Sequence, residues 1–266
     1  RSGDRGETWT EPTGPDSGLL TDSAGYHTAP VALAVSRGRI WKACEFAPNT
    51  DRRTWRTFDL SAPADADLLR RSNWTFTEPI DSWPAWQWIE GNALVAPEGD
   101  VVVLSRANKI DRMTPWGPEK RRQSGGEETA AMIHVSADGT ALTHDPDRDR
   151  IRFPGGGTKF TVRFDEQSAT YCALVNPQNN VDRWRNQLVL SVSRDLRCWR
   201  VVKELLHHPD PLFHAFQYVD WDVDGEDLVF LSRTAYDDRR GGAHRAHDAN
   251  YTTFHRLENF RQDVIR

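Results

Sequence analysis

Short runs of alternating apolar and polar residues recur along the chain, each pair separated by a tight, often glycine-containing turn. "APVALAV" (29–35) is followed across Ser36-Arg37-Gly38 by "RIWKACEF" (39–46). "NALVAP" (92–97) meets "DVVVLSRA" (100–107) across Glu98-Gly99, and "KFTVRFD" (159–165) precedes "TYCALVN" (170–176). "QYVDWDV" (217–223) meets "DLVFLSRTA" (227–235) across Asp224-Gly225-Glu226. A period of two with turn residues between the runs predicts antiparallel hairpins. A third strand follows each hairpin, and the whole unit returns roughly every 60 residues, the rhythm of a radial array of four-stranded blades.

The turns that close these units share a chemistry. "SGDRGETW" (2–9) has the pattern S-x-D-x-G-x-T-W, and "SRDLRCW" (193–199) keeps its Ser, Asp and Trp. "RRSNWTFTEP" (70–79) and "VSADGTALTHD" (135–145) are degenerate relatives. Ser and Asp side chains bond to the turn backbone, Gly takes a conformation costly for other residues, and Trp packs beneath. The pattern resembles the Asp-box, or BNR, turn between the third and fourth strands of a propeller blade. The expected fold is therefore all-β, a β-propeller with five or six blades when complete. No Pro/Gly/Ser-rich linker divides the chain, so residues 1–266 are expected to form one domain: a partial N-terminal blade, then about four blades. The N-terminal unit begins at its third strand, and truncation by a blade or more is expected. The charged stretch 109–128 is expected to be a loop.

Composition narrows the function. Eleven Trp and eleven Phe against two Met suit strands better than helices. The net charge of −5, with no basic stripe, argues against nucleic acid as a partner. No run approaches the ~18 apolar residues of a membrane-spanning helix. Cys44, Cys172 and Cys198 are far apart and form no CxxC pair, so they suggest neither zinc nor a disulfide framework.

Chemistry gathers in four polar clusters beside expected inner strands, where propeller loops surround the central channel. Tyr26 and His27 lead into the first; a channel-facing His exchanges protons near neutral pH, though a structural His satisfies the same spacing. Glu90 and Asn92 sit in the second, with Trp86 and Trp88 offering flat faces to a sugar or else serving the core. The third holds His214, Gln217, Tyr218 and Asp220; strict alternation puts Gln217 and Val219 on one face, Tyr218 and Asp220 on the other. Tyr beside a carboxylate suits a nucleophile or proton donor, or a buried hydrogen-bond network. The fourth is Arg233 with the loop carrying Asp237, Asp238, His244, His247, Asp248 and Asn250. Its H-x-x-H-D run has the residue types for zinc, but the neighbouring glycines oppose a helix presenting both His on one face. A sugar-binding or catalytic wall and a polar structural loop are the other readings.

The turns and blade rhythm resemble the sialidase-like β-propellers. "YHTAP", "FQYVDW", "SRTAYDD" and "GGAHRAHDANYTTFHRLENFR" resemble stretches of bacterial sialidase-family, or BNR-repeat, proteins, over about residues 2–261. The resemblance implies an exo-glycosidase with three arginines on a substrate carboxylate, a Tyr nucleophile paired with Glu, and an Asp acid/base. Arg233 then takes one clamp position, Tyr218 the nucleophile and Glu90 its partner, with Arg106 and Arg185 near strand ends as further cations. The Arg-Ile-Pro signature of the first blade is absent, and the excess of His is closer to propellers that cleave uronate-linked sugars. The resulting expectation is a glycoside hydrolase acting on a terminal, possibly acidic, sugar, secreted or periplasmic, taking a glycan or oligosaccharide and no cofactor. The expected catalytic groups are His27, Glu90, Tyr218, Asp220, His247 and Asp248, with His27 or Asp248 as acid/base. Tyr26, Trp88, Asn92, Arg106, Gln217, Arg233, Asp237, His244 and Asn250 are expected to bind substrate. The alternatives are a polysaccharide lyase using His and Tyr on a uronic acid, and a non-catalytic carbohydrate-binding propeller.

Overall fold

The computed structural model describes residues 1–22, 25–47, 55–84, 86–109, 128–177 and 185–265. These form four antiparallel sheets arranged as the blades of a β-propeller, with one short helix, Arg261–Ile265. The four expected hairpins are present. Blade 1 pairs Arg39–Phe46 with Arg56–Pro63; its innermost strand is broken into Tyr26–His27 and Ala34–Ser36, and its outermost into Thr75–Phe76 and Ile80–Asp81. Blade 2 runs outward through Trp86–Val95, Val101–Lys109 and Thr129–Val135 to two short outer pieces. Blade 3 is Thr161–Asp165, Thr170–Val175, Gln187–Ser193 and Arg200–His207. Blade 4 has three strands, Ala215–Asp224, Asp227–Ala235 and Tyr251–Leu257. Residues 1–22 contain the first S-x-D turn but no strand, and 110–127 of the expected charged loop lie outside the described residues.

Three of the four expected turns share one wiring. Ser2 and Asp4 bond to each other and to the Gly6 and Thr8 backbone N–H groups, and the Trp9 indole donates to the Gly6 carbonyl at 3.1 Å. Ser193, Asp195 and Trp199 repeat the arrangement, with the indole on the Leu196 carbonyl at 2.9 Å. Ser136, Asp138 and Thr140 repeat the hydroxyl–carboxylate part. Residues 70–79 instead form a 3-10 turn, Arg71–Asn73.

Apolar layers between adjacent blades form the core. Trp41, Trp83, Trp88 and Val103 fill the space between blades 1 and 2; Leu104, Phe153, Phe160 and Tyr171 that between 2 and 3; Leu190, Trp221 and Phe230 that between 3 and 4. The innermost strands are linked by side chains. Asn92 Oδ1 accepts from the Val162 N–H at 3.0 Å, and Thr161 Oγ1 donates to the Val219 carbonyl at 2.6 Å. Neighbouring inner strands belong to separate sheets and do not pair in a ladder, so such bonds satisfy backbone groups that would otherwise be buried alone.

Two inner strands carry the same irregularity. Pairing in blade 2 slips between Ile89 and Asn92, and in blade 4 between Gln217 and Asp220. Glu90 sits at φ 62° and Tyr218 at φ 52°. Left-handed backbone costs a non-glycine residue of order 1–3 kcal/mol and persists where surrounding contacts hold it. A bulge re-aims a side chain that plain alternation would send to a blade–blade face. The expected split of Gln217 with Val219 against Tyr218 with Asp220 therefore does not hold as simple alternation.

Candidate functional site

The two re-aimed side chains enter one cationic cluster. Glu90 Oε2 accepts from Arg106 Nη1 at 2.7 Å, and both side chains are almost wholly buried. Arg106 and Arg185 both interact electrostatically with Tyr218. The guanidinium carbons of Arg185 and Arg233 lie 5.1 and 5.2 Å from the Tyr218 ring centroid. Arg233 faces Gln217 across the blade 4 hairpin, so the register itself carries it to Tyr218. Blades 2 and 4 and the segment entering the third strand of blade 3 thus supply one site.

The loop after Arg233 is fastened to the same cluster. Gln217 accepts from Arg185 and donates through Nε2 to the carbonyls of Ala246 and His247, at 2.7 and 3.3 Å. Arg233 Nη2 also donates to the His247 carbonyl. His247 meets Tyr218 edge-on, ring centroids 6.2 Å apart. In blade 1, His27 Nδ1 lies 2.8 Å from Glu45 Oε2.

Electrostatics follow from this packing. Burial opposes ionisation of Glu90, but Arg106 beside it, then Arg185 and His27, hold its carboxyl below the usual range. Burial also opposes charge on Arg106, and Glu90 outweighs that. Burial and the positive charge of Arg106 push Arg185 down, with Tyr218 and Glu90 opposing. Burial, Arg185 and Arg233 push His247 down although the nearby Asp248 carboxylate opposes them, and the lowered pKa favours the neutral imidazole. The site has surplus positive charge around a phenol, suited to an anionic group and to negative charge developing on oxygen.

Several expected site residues lie elsewhere. Trp88 has no exposed surface and packs edge-on against Trp83 and His144, each at 4.9 Å, so it is core and offers no face to a sugar. Asn92 is buried and spent on the inner-strand bridge to blade 3. Tyr26 packs on Phe46 and Phe58, because alternation in its strand sends it to the face opposite His27. Gln217 is buried and positions the loop. Asp220 is half-buried and paired with Arg163 at 3.1 Å. Asp248 is exposed and held by Arg245 at 2.7 Å, which lowers its pKa. Asn250 clamps the loop through the Tyr236 backbone and Asp238. Asp237 is exposed, 3.5 Å from the buried His214, and His244 is exposed. Among the described residues, no three or more His, Cys, Asp or Glu are grouped to hold a metal ion, and no helix is long and apolar enough to cross a membrane.

Buried charges on blade 1 escape the sequence reading. Glu45 and Asp59 have no exposed surface. Their signal is a charged residue inside a run such as "RIWKACEF", where burial normally excludes one. Neither carboxylate oxygen of Asp59 has a hydrogen-bond partner. Burial raises its pKa to about 8, against the opposing charge of Lys42. The folded protein therefore retains a proton that the unfolded chain releases above its ordinary value of 3.8. Asp59 should make stability fall as pH rises from about 4 to about 8. Asp59→Asn should abolish that slope and leave the variant more stable than the parent at pH 8, as read from urea midpoints at both ends of the window.

No family model matches the chain, and no curated protein matches it in sequence. Solved structures match in shape. An N-acetylgalactosamine deacetylase from F. plautii, in complex with blood group B trisaccharide, superposes with a TM-score of 0.54 at 12% identity, over 92% of this chain and 76% of that one. The Bombyx mori GH32 beta-fructofuranosidase gives 0.53 at 14%, over 86% of this chain. The leech intramolecular trans-sialidase, complexed with 2,7-anhydro-Neu5Ac, gives 0.51 at 11%, over 91%. This chain spans about half of the Bombyx protein and about a third of the leech one (51% and 32%). At these identities the likeness is one of fold: a propeller of the kind on which these proteins are built.

Proposed function

We propose that the protein is a glycoside hydrolase that removes a terminal, anionic sugar, with the Tyr218 cluster as its active site. The observation that carries this reading is the Tyr218 ring flanked by the Arg185 and Arg233 guanidiniums, 5.1 and 5.2 Å from its centroid, beside Arg106, which the buried Glu90 carboxylate holds at 2.7 Å. Tyr218 is the nucleophile. As the phenol oxygen bonds to the anomeric carbon its proton passes to the His247 imidazole beside it, and Arg106 and Arg185 stabilise the negative charge that this proton loss develops on the oxygen. Glu90 keeps Arg106 fixed and balances its charge. Arg233, with Arg185, receives the carboxylate of the sugar. His27 protonates the departing glycosidic oxygen and then deprotonates the incoming water. His27 is preferred to Asp248 because Asp248 is exposed and engaged by Arg245. The complexes of the trisaccharide and the 2,7-anhydro-Neu5Ac with proteins of this fold lend the reading support. The resemblance to sialidase-family, Asp-box proteins belongs to the same proposal, as does a secreted or periplasmic setting.

A lyase acting on a uronic acid is the second reading, favoured by His247, which meets Tyr218 edge-on and is biased toward its neutral, basic form. Digestion of a panel of oligosaccharides ending in sialic or uronic acids, read by product mass, separates the two. Hydrolysis adds one water per cleaved bond. Elimination adds none and leaves a conjugated C=C that absorbs in the ultraviolet. Binding without cleavage across the panel would reject both enzyme readings.

A further inference from the structure

We propose that Glu45 is a positioning residue of this site, one buried carboxylate that sets both the tautomer of His27 and the bulge that aims Glu90. Glu45 lies directly opposite His27 in the blade 1 ladder and has no exposed surface. Its Oε2 is 2.8 Å from His27 Nδ1, and its Oε1 accepts from the Gly91 N–H of blade 2 at 3.0 Å. A carboxylate only accepts hydrogen bonds, so Nδ1 must carry the proton and Nε2 becomes the ring atom that exchanges one. Gly91 follows Glu90 at the strained bend. A Cβ on residue 91 would stand 2.7 Å from Val103 Cγ1 and 3.2 Å from Ala43 Cβ, so the glycine is what lets this backbone N–H reach the carboxylate. Blade 1 and blade 2 each contribute one candidate catalytic group, and Glu45 ties the two together. Among the described residues, Glu45 is in direct contact with His27 and Glu90 interacts with it electrostatically. A buried charge bonded on both oxygens holds its partners more strictly than an exposed pair does.

The catalytic consequence rests on the hydrolase reading above; the tautomer does not, and the test uses the difference. Nitrogen-15 NMR of histidine-labelled protein, with the His27 signals assigned by His27→Ala, should show the Nδ1–H tautomer in the parent. Glu45→Gln presents an amide that can donate to Nδ1, which moves the proton to Nε2. The variant should therefore show the opposite tautomer. On a substrate found by the panel, its kcat should fall by about 10²–10⁴, the usual worth of general acid–base catalysis, with KM little changed. The pH limb that belongs to His27 should move to lower pH once the carboxylate charge is gone. Glu45→Asp, which keeps the charge, should keep the parental tautomer. An Nε2–H tautomer in the parent overturns the proposal, as does an unchanged tautomer or kcat in Glu45→Gln. If Glu45→Gln does not fold, the parental tautomer and Glu45→Asp decide the matter. Failure of the panel leaves the NMR result standing and counts only against the hydrolase reading.

Discussion

Tyr218→Phe should eliminate at least about 10³ of turnover, ~4 kcal/mol of barrier, and leave the fold in place. The substitution deletes one oxygen. The ring, its φ of 52° and its two guanidinium neighbours are untouched. Arg106 and Arg185 keep Glu90 and Gln217 as hydrogen-bond partners. The stability change should therefore stay within about 1 kcal/mol, since no cavity or unpaired charge is created. Steady-state kinetics with thermal melts of both proteins checks the pair of outcomes. A large melting shift would make Tyr218 a structural tyrosine whose hydroxyl closes a buried network. Unchanged turnover would remove the nucleophile from the proposed reaction altogether. In the lyase reading the same variant also loses activity, so the product mass, not this variant, separates the two chemistries.

The blades were legible because two independent signals coincide. Alternation of period two marks the strands, and turn residues at regular distances mark their ends. "NALVAP" and "DVVVLSRA" around Glu98-Gly99 are an instance: the strands Trp86–Val95 and Val101–Lys109 pair as expected. The candidate site was legible where chemistry-bearing residues fall on an inner strand or its hairpin partner, as with Glu90, Tyr218 and Arg233. It was misjudged where the direction of a side chain matters. Trp88 and Glu90 lie two apart, and period two alone would place them on one face. A register slip just beyond Ile89 sends one into the core and the other to Arg106. Alternation has no term for a bulge, so no residue pattern separates them. Glu45 was missed for a different reason: its role depends on Gly91, 46 residues away in sequence. Arg185 reaches the cluster from the approach to a strand, where periodicity says nothing.

The Arg106–Glu90 pair should be the most sensitive point in the fold. Arg106→Met leaves Glu90 charged, buried and without its cation. Removing one partner of a buried pair costs about 3–5 kcal/mol, or ~10 °C in melting temperature for a chain of this size. Adding Glu90→Gln removes the stranded charge and should restore most of the loss, because the cost lies in desolvation and not in a missing contact. Neither variant is expected to act on a glycan, since Arg106 also serves Tyr218. The pH dependence should reverse as well. In the parent, Arg106 holds the Glu90 pKa below its ordinary value, so this stabilisation is present above that value and is lost as pH falls through the lowered one. In Arg106→Met burial acts with less opposition, its carboxyl titrates upward, and Glu90 should destabilise the fold increasingly as pH rises. Urea midpoints of the parent, both single variants and the double variant across the acidic range measure the coupling and its sign. Additive effects, or an Arg106→Met variant as stable as the parent, would mean that water reaches Glu90. The carboxylate would then no longer depend on a guanidinium for its charge, and the strained backbone that turns it inward would lose its physical reason.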